Sequence, residues 1–281
     1  MTLLLPLEHA FLLRALVGGS LVAVLCAVVG TWVVIRGMAF LGEALAHGML
    51  PGVALATVTG APVLLGGAAS AVAMTIGIGA LRRRGRLAYD TSIGLLFVAM
   101  LAVGVIVISH SGSFATDATA ILFGDVLAIS AEDLAVLAVA TGIGLSLAVV
   151  AHRALVAVAV DARVARVLGV RPGWAEATLT GLVTLAVVAS YQAVGSLLVV
   201  GMLLAPAVAA RPWVRGIAAT MTLAAAIGIA AVVAGLSLSW HLGTAAGASI
   251  AASAIAAAAL SALLRSLFAS RRSAAAVPAP L

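Results

Sequence analysis

Apolar residues run along this chain in blocks of about twenty, parted by short stretches where arginine, glycine and proline collect. Nine blocks can be traced, approximately 11–35, 38–59, 61–81, 91–109, 132–151, 174–192, 194–210, 214–236 and 242–264. A helix rises 1.5 Å per residue, so roughly 20 apolar residues cross a hydrocarbon layer about 30 Å thick. The pattern predicts an all-α fold, a polytopic transmembrane helical bundle of about nine spans with some broken helices. Gly60-Ala61-Pro62 alone separates the second block from the third, which marks a tight turn. Block 194–210 is short for a span and contains Pro206, so it is expected to be re-entrant or broken. Ile121 to Leu127 is apolar but too short to cross, which suits a short interfacial helix or a lid. Residues 1–270 read as one transmembrane domain, and 271–281, with their Ala and Pro repeats, as a disordered cytoplasmic tail.

Arginine placement orients the bundle. Arg82, Arg83, Arg84 and Arg86 follow the third block, and Arg153, Arg163, Arg166 and Arg171 lie between the fifth and sixth. Arg211 and Arg215 flank the junction of the seventh and eighth, and Arg265, Arg271 and Arg272 close the chain. With nine alternating blocks all four groups fall on one side, which the positive-inside rule makes cytoplasmic. Loop 110–131 has no arginine and carries Asp117 and Asp125, as an outer loop should. Arg14 is the exception, placed where it can snorkel to the outer headgroups.

Composition agrees. Of 281 residues 64% are hydrophobic and 9% charged, against about 25% charged in a soluble domain. The net charge of +6 is all arginine, with no lysine in the chain. Spread over loop ends, it orients the protein and forms no nucleic-acid patch. The lone cysteine, Cys26, lies in an apolar run and reads as a small core residue. The N-terminus lacks the basic start and cleavage site of a signal peptide, so the first block is expected to be retained.

One stretch breaks the apolar pattern in a way that points to chemistry. Between Arg36 and Ala56 stand Glu43 and His47, four residues apart and therefore on one face of a helix. A carboxylate at mid-membrane costs about 2.5–3.5 kcal/mol on insertion scales, and such groups face a bundle interior or a polar path. Pro51-Gly52 then interrupts the helix, which is tolerated in a membrane where the break is buried or lines a cavity. With Arg36 at the cytoplasmic end, Glu43 lies roughly 10 Å into the membrane and His47 nearer its middle. Carboxylate oxygen with imidazole nitrogen suits a borderline divalent metal such as Zn²⁺, Mn²⁺ or Fe²⁺. Two ligands make no tight site, and a second copy of the chain across a two-fold axis would make four. The same pair also suits a proton relay, or a plain buried ion pair.

Other segments carry weaker signals. Val160 to Pro172 forms a short amphipathic helix with Val160, Val164, Val167 and Leu168 on one face, Asp161 near its start and Gly169 at its end. Pattern alone favours an interfacial helix over a docking helix for a cytoplasmic partner. In Val194–Ala210, Gly195, Gly201, Ala205 and Ala209 permit close helix packing. His9, His110 and His152 fall at loops or membrane edges, and His241 follows Trp240 at the outer edge. Asp90 and Glu176 sit in first turns, where a carboxylate suits the helix N-terminus. Without lysine there is no P-loop, so any ATP-driven step belongs to another polypeptide.

Met38 to Ala56, with its Leu-Gly-Glu-Ala-Leu-Ala-His core followed by Leu-Pro-Gly, resembles the signature of the zinc/manganese/iron(II) permease family of bacterial ABC importers. The resemblance continues at Leu122–Leu127, Asp161–Val170, Val194–Ala210 and Leu236–Ala248. It implies a multi-pass permease of the bacterial cell (inner) membrane that acts as a transport subunit, not an enzyme. It implies two copies of this chain with two cytoplasmic ABC ATPase subunits, and an extracytoplasmic metal-binding protein that delivers the ion. The family's pore ligands fall on Glu43 and His47, with Zn²⁺ or Mn²⁺ as transported substrate and no tightly bound cofactor. Its ATPase-coupling helix falls on Asp161 to Val170, with Asp161, Ala165 and Gly169 as key positions, which reverses the pattern-only reading. The chain departs from the family in having Glu43 for the usual Asp and Ala46 for the usual Ser. The rivals are a proton-coupled secondary transporter and a permease for a metal chelate or vitamin.

Overall fold

The computed structural model describes residues 9–84, 88–110 and 124–275. Every regular element among them is a helix: α1 (Ala10–Arg36), α2 (Ala39–Gly48), α3 (Leu50–Thr59), α4 (Val63–Arg84), α5 (Tyr89–His110), α6 (Ala131–Val160), α7 (Ala162–Val167), α8 (Pro172–Val194), α9 (Ser196–Ala210), α10 (Ile217–Leu242) and α11 (Ala246–Ala275). A single 3-10 turn, Val126–Ala128, precedes α6.

Among the described residues eight stretches are long and apolar enough to cross a membrane, α2 and α3 together counting as one. The ninth block is α9, whose 15 residues reach about 22 Å, short of a full crossing. Among the described residues, eight crossing-length helices and one half-length helix agree with the expected all-α bundle of about nine spans, the short one being the block that sequence marked as short. The alternation survives, because α9 still returns the chain to the arginine-bearing end. Arg211, just past it, lines the same cavity as Val34 and Ile35 at the end of α1. The other end of α9 stops at Gly195 inside the bundle, and Gly124 of the segment before α6 rests against it. Both glycines have positive φ, 61° and 74°, and a Cβ on Gly124 would overlap the Gly195 backbone. Of the proposed lid, residues 121–123 lie outside the described residues. Helix α11 continues to Ala275, into the stretch read as tail, and 276–281 also lie outside.

Helix α1 is the centre of the bundle, packed on α6, α8, α9 and α10. It achieves this with small residues, since Ala15, Ala23 and Ala27 are fully buried and Gly30 lies directly on the Leu203 carbonyl of α9. Helix α10 runs antiparallel to α1, with Phe11 near Trp240 at one end and Ala23 against Gly228 further along. Large apolar side chains remain on the outside, including Ile106, Val149 and Val150. In water such a surface would be a liability, but lipid tails are as apolar as these residues.

The helix ends follow local chemistry. Helix α6 opens with a capping box: Ser130 Oγ accepts from the Asp133 N–H at 3.1 Å, and Asp133 Oδ2 accepts from the Ser130 N–H at 3.0 Å. Helix α1 closes in a Schellman turn at Gly37, φ 67°, in which Met38 N–H reaches the Val33 carbonyl and Gly37 N–H the Val34 carbonyl. That turn sends the chain straight back into α2.

Candidate metal site and docking helix

Helix α2 buries one face completely, through Leu41, Ala44 and Leu45. Its other face carries Phe40, Glu43 and His47, spaced by three and four residues and partly exposed. His47 Nε2 lies 2.9 Å from Glu43 Oε1, the imidazole N–H donating to the carboxylate. The side chains keep 19% and 33% of their surface, enough for an ion or a second subunit to reach them. The spacing read from the sequence therefore becomes a contact. Among the described residues no group of three or more His, Cys, Asp or Glu side chains gathers at one point. Glu43 and His47 are thus a pair, with no third such side chain beside them among the described residues.

The break that follows has a local cause. Pro51 has no N–H to offer the His47 carbonyl one turn back, so the helical ladder lapses just beyond the pair. Helix α4 supports the break from outside. Gly66 packs against Gly52 backbone to backbone, and Ser70 Oγ donates to the Gly48 carbonyl at 2.7 Å.

Phe97 of α5 completes the surroundings, and sequence reasoning missed it. Its ring meets His47 edge-on, centroids 5.8 Å apart, and meets Phe40 in the same manner at 5.6 Å. An aromatic inside an aliphatic span was the available signal, but it does not say which neighbour the ring will find.

Helix α7 is the short amphipathic element expected at 160–172. Asp161 is its N-cap, the carboxylate accepting from the Arg163 N–H. Ala165 is fully buried against the bundle. Gly169, φ 79°, ends it in a second Schellman turn, with Val170 N–H on the Ala165 carbonyl and Gly169 N–H on the Arg166 carbonyl. The apolar residues of the pattern point outward: Val167 is 88% and Leu168 68% exposed.

Glu176 is the fifth residue of α8, past the first turn expected for it. It pairs with Arg36 across 3.3 Å, a contact between residues 140 apart that the sequence did not reveal. The remaining histidines lie apart from the pair in their own settings. His9 stacks on Phe11, His152 meets Trp32 edge-on, and His241 Nδ1 bonds the Ser237 carbonyl at 2.7 Å.

Residues 8–265 match the model of the ABC 3 transport family. The chain belongs to the ABC 3 transport family. It is 31% identical over 244 residues to the manganese transport system membrane protein MntC of Listeria monocytogenes, covering 87% of each chain. It is 32% identical over 248 residues to a probable iron transport system membrane protein of Haemophilus influenzae, covering 88% of this chain and 91% of that one. Among solved structures, PsaBC from Streptococcus pneumoniae in complex with Fab superposes with a TM-score of 0.80 at 30% identity, over 91% of this chain and 92% of that one. The family resemblance drawn from residues 38–56 and the later blocks is therefore borne out. With eight helices of crossing length among its described residues, this ABC 3 family member is a multi-pass protein of the bacterial cell membrane.

Proposed function

We propose that this chain is the permease subunit of an ATP-driven importer for a divalent transition metal, Mn²⁺ or Zn²⁺, and that Glu43 and His47 are its transit ligands. The observation that carries the reading is the Glu43–His47 contact on the open face of a membrane helix that breaks one turn later. Relatives named for manganese and iron transport support the substrate class.

The chemistry runs as follows. An arriving ion opens the hydrogen bond between the two side chains: the Nε2 proton passes to water, Nδ1 taking up a proton so that the ring stays neutral, and the ion takes the freed Nε2 and a carboxylate oxygen. Two copies of the chain supply two oxygens and two nitrogens, a full tetrahedral set for zinc and a partial one for manganese. The metal is delivered on the outer face by a binding protein and leaves at the arginine-bearing, cytoplasmic face. ATPase subunits dock on α7, whose exposed Val164, Val167 and Leu168 form the apolar contact and whose Ala165 seats it on the bundle. Hydrolysis takes place in those subunits.

The test is uptake of Mn²⁺ and of Zn²⁺ by proteoliposomes holding this chain with its ATPase. Glu43→Gln and His47→Ala are each expected to lower uptake at least tenfold while the complex still assembles. Wild-type uptake in both variants would remove the pair from the pathway. Uptake driven by a proton gradient without any ATPase would replace the ATP-driven reading with a secondary transporter.

A further inference from the structure

Three helix ends meet at Arg36. Its Nη1 donates to the Val158 carbonyl at 2.7 Å, and its Nη2 to Glu176 Oε1 at 3.3 Å. Val158 lies in the last turn of α6, where the final four carbonyls have no partner within the helix. The guanidinium therefore answers an acceptor that would otherwise be orphaned. Glu176 lies near the start of α8. The chain leaves the bundle after Val158, forms α7, and re-enters before Glu176, so Arg36 closes the base of the loop that carries the docking helix. Both side chains are about three-quarters buried, at 21% and 25% exposure, and charge-assisted bonds in such a setting are roughly twice as strong as neutral ones.

The other side of Arg36 is backbone. Gly37 turns the chain within one residue and α2 begins at Ala39, so Glu43 stands seven positions from Arg36, one helical turn into α2. The surroundings leave little slack. Trp32, one turn before Arg36, is fully buried and edge-on to His152 of α6. Glu176 lines a cavity of about 280 Å³ with Thr75 and Tyr89 on one side, but between it and Trp32, Arg36 and Val158 the void is about 10 Å³. Close-packed interiors of this kind transmit displacement rather than absorb it.

We propose that Arg36 is the positioning residue through which movement of the docking loop reaches the helix that holds Glu43 and His47. This rests on the metal-permease reading above. When α6 and α8 shift at the foot of α7, the guanidinium is drawn with them, and α2 follows because it starts two residues later. Arg36 touches no ion; it sets where α2 stands.

The experiment uses the complex of this chain with its ATPase in proteoliposomes, with Mn²⁺ as the probe. Three quantities are read for each variant: Mn²⁺ taken up per ATP hydrolysed, the ATPase rate, and equilibrium Mn²⁺ binding by the detergent-purified complex. Arg36→Gln and Glu176→Ala are each expected to lower uptake per ATP at least tenfold, with Mn²⁺ affinity and ATPase rate within about threefold of wild type. The double variant should be no worse than Arg36→Gln alone, since that variant already removes the link to Glu176. Arg36→Lys keeps the charge but serves one partner at a time, and should fall between; it carries the test if Arg36→Gln does not insert. Unchanged uptake per ATP in these variants would overturn the proposal. So would a loss of uptake matched by an equal loss of Mn²⁺ affinity, which would make Arg36 a plain support for α2. A wild-type complex that neither binds nor transports Mn²⁺ or Zn²⁺ would overturn the metal reading first, and is seen before any variant is compared.

Discussion

The hydroxyl of Ser70 on α4 donates to the carbonyl of Gly48 on α2 across 2.7 Å, so the end of the site helix is held by a neighbour 22 residues further along the chain. Ser70→Ala removes that donor with little change in shape. It is expected to cost about 0.5–1.5 kcal/mol of stability and to weaken Mn²⁺ binding several-fold, because His47 stands one residue before Gly48. Thermal unfolding in detergent and equilibrium Mn²⁺ titration of the same preparation check both effects.

Gly30 has no room for a side chain. A Cβ there would overlap the Leu203 carbonyl, and backbone cannot swing aside as a flexible side chain can. Gly30→Ala must part α1 from α9 and is expected to destabilise the protein by about 2–3 kcal/mol, the upper range for overpacking. Gly142 of α6 has nothing within 4 Å of the same construction. Gly142→Ala should stabilise by roughly 0.5–1 kcal/mol through helix propensity. Opposite shifts of the unfolding midpoint are the expected result, and equal shifts would contradict the packing argument.

Phe97 holds the His47 ring from the side. Edge-to-face pairs contribute about 0.5–1.5 kcal/mol, so Phe97→Ala is expected to lower Mn²⁺ affinity by up to about tenfold. Phe97→Tyr keeps the ring and should bind almost as wild type. Direct binding to the purified complex distinguishes the two.

Asp161 and Gly169 define the two ends of a six-residue helix. Loss of an N-cap costs about 0.5–2 kcal/mol, a large share of the stability of so short an element. Asp161→Ala and Gly169→Ala, the latter forced into the left-handed region, should both blunt stimulation of ATP hydrolysis by the metal-loaded binding protein. Neither should alter equilibrium Mn²⁺ binding. ATPase assays of the reconstituted complex read the difference.

What could be read in advance was whatever a helix writes along its own length. Glu43 and His47 announced themselves by a spacing of four in an apolar block, and the turn at Gly60-Ala61-Pro62 by its residue types. The shortness of 194–210 was visible too, although the way α9 ends inside the bundle against Gly124 was not. Contacts between helices leave no such trace. Nothing in the neighbourhood of Arg36 names Glu176, and nothing around His47 names Phe97. Helix α7 illustrates a different limit: Val164, Val167 and Leu168 form the same stripe whether they lie on lipid or meet a protein. Pattern alone favours lipid, and the docking reading came only with the family resemblance.

The break at Pro51 gives α2 a length of ten residues, about 15 Å, with a glycine turn at one end and an interrupted ladder at the other. Such an element is a lever with a joint at each end. A tilt of about 10° around Gly37 carries His47 through an arc of about 2.6 Å. Metal–ligand distances tolerate departures of only about 0.2 Å. On the proposed function, grip and release would be separated by a rotation smaller than the angle between neighbouring strands of an ordinary twisted sheet, roughly 20–25°, and an ion would be let go while the rest of the bundle stays almost where it was.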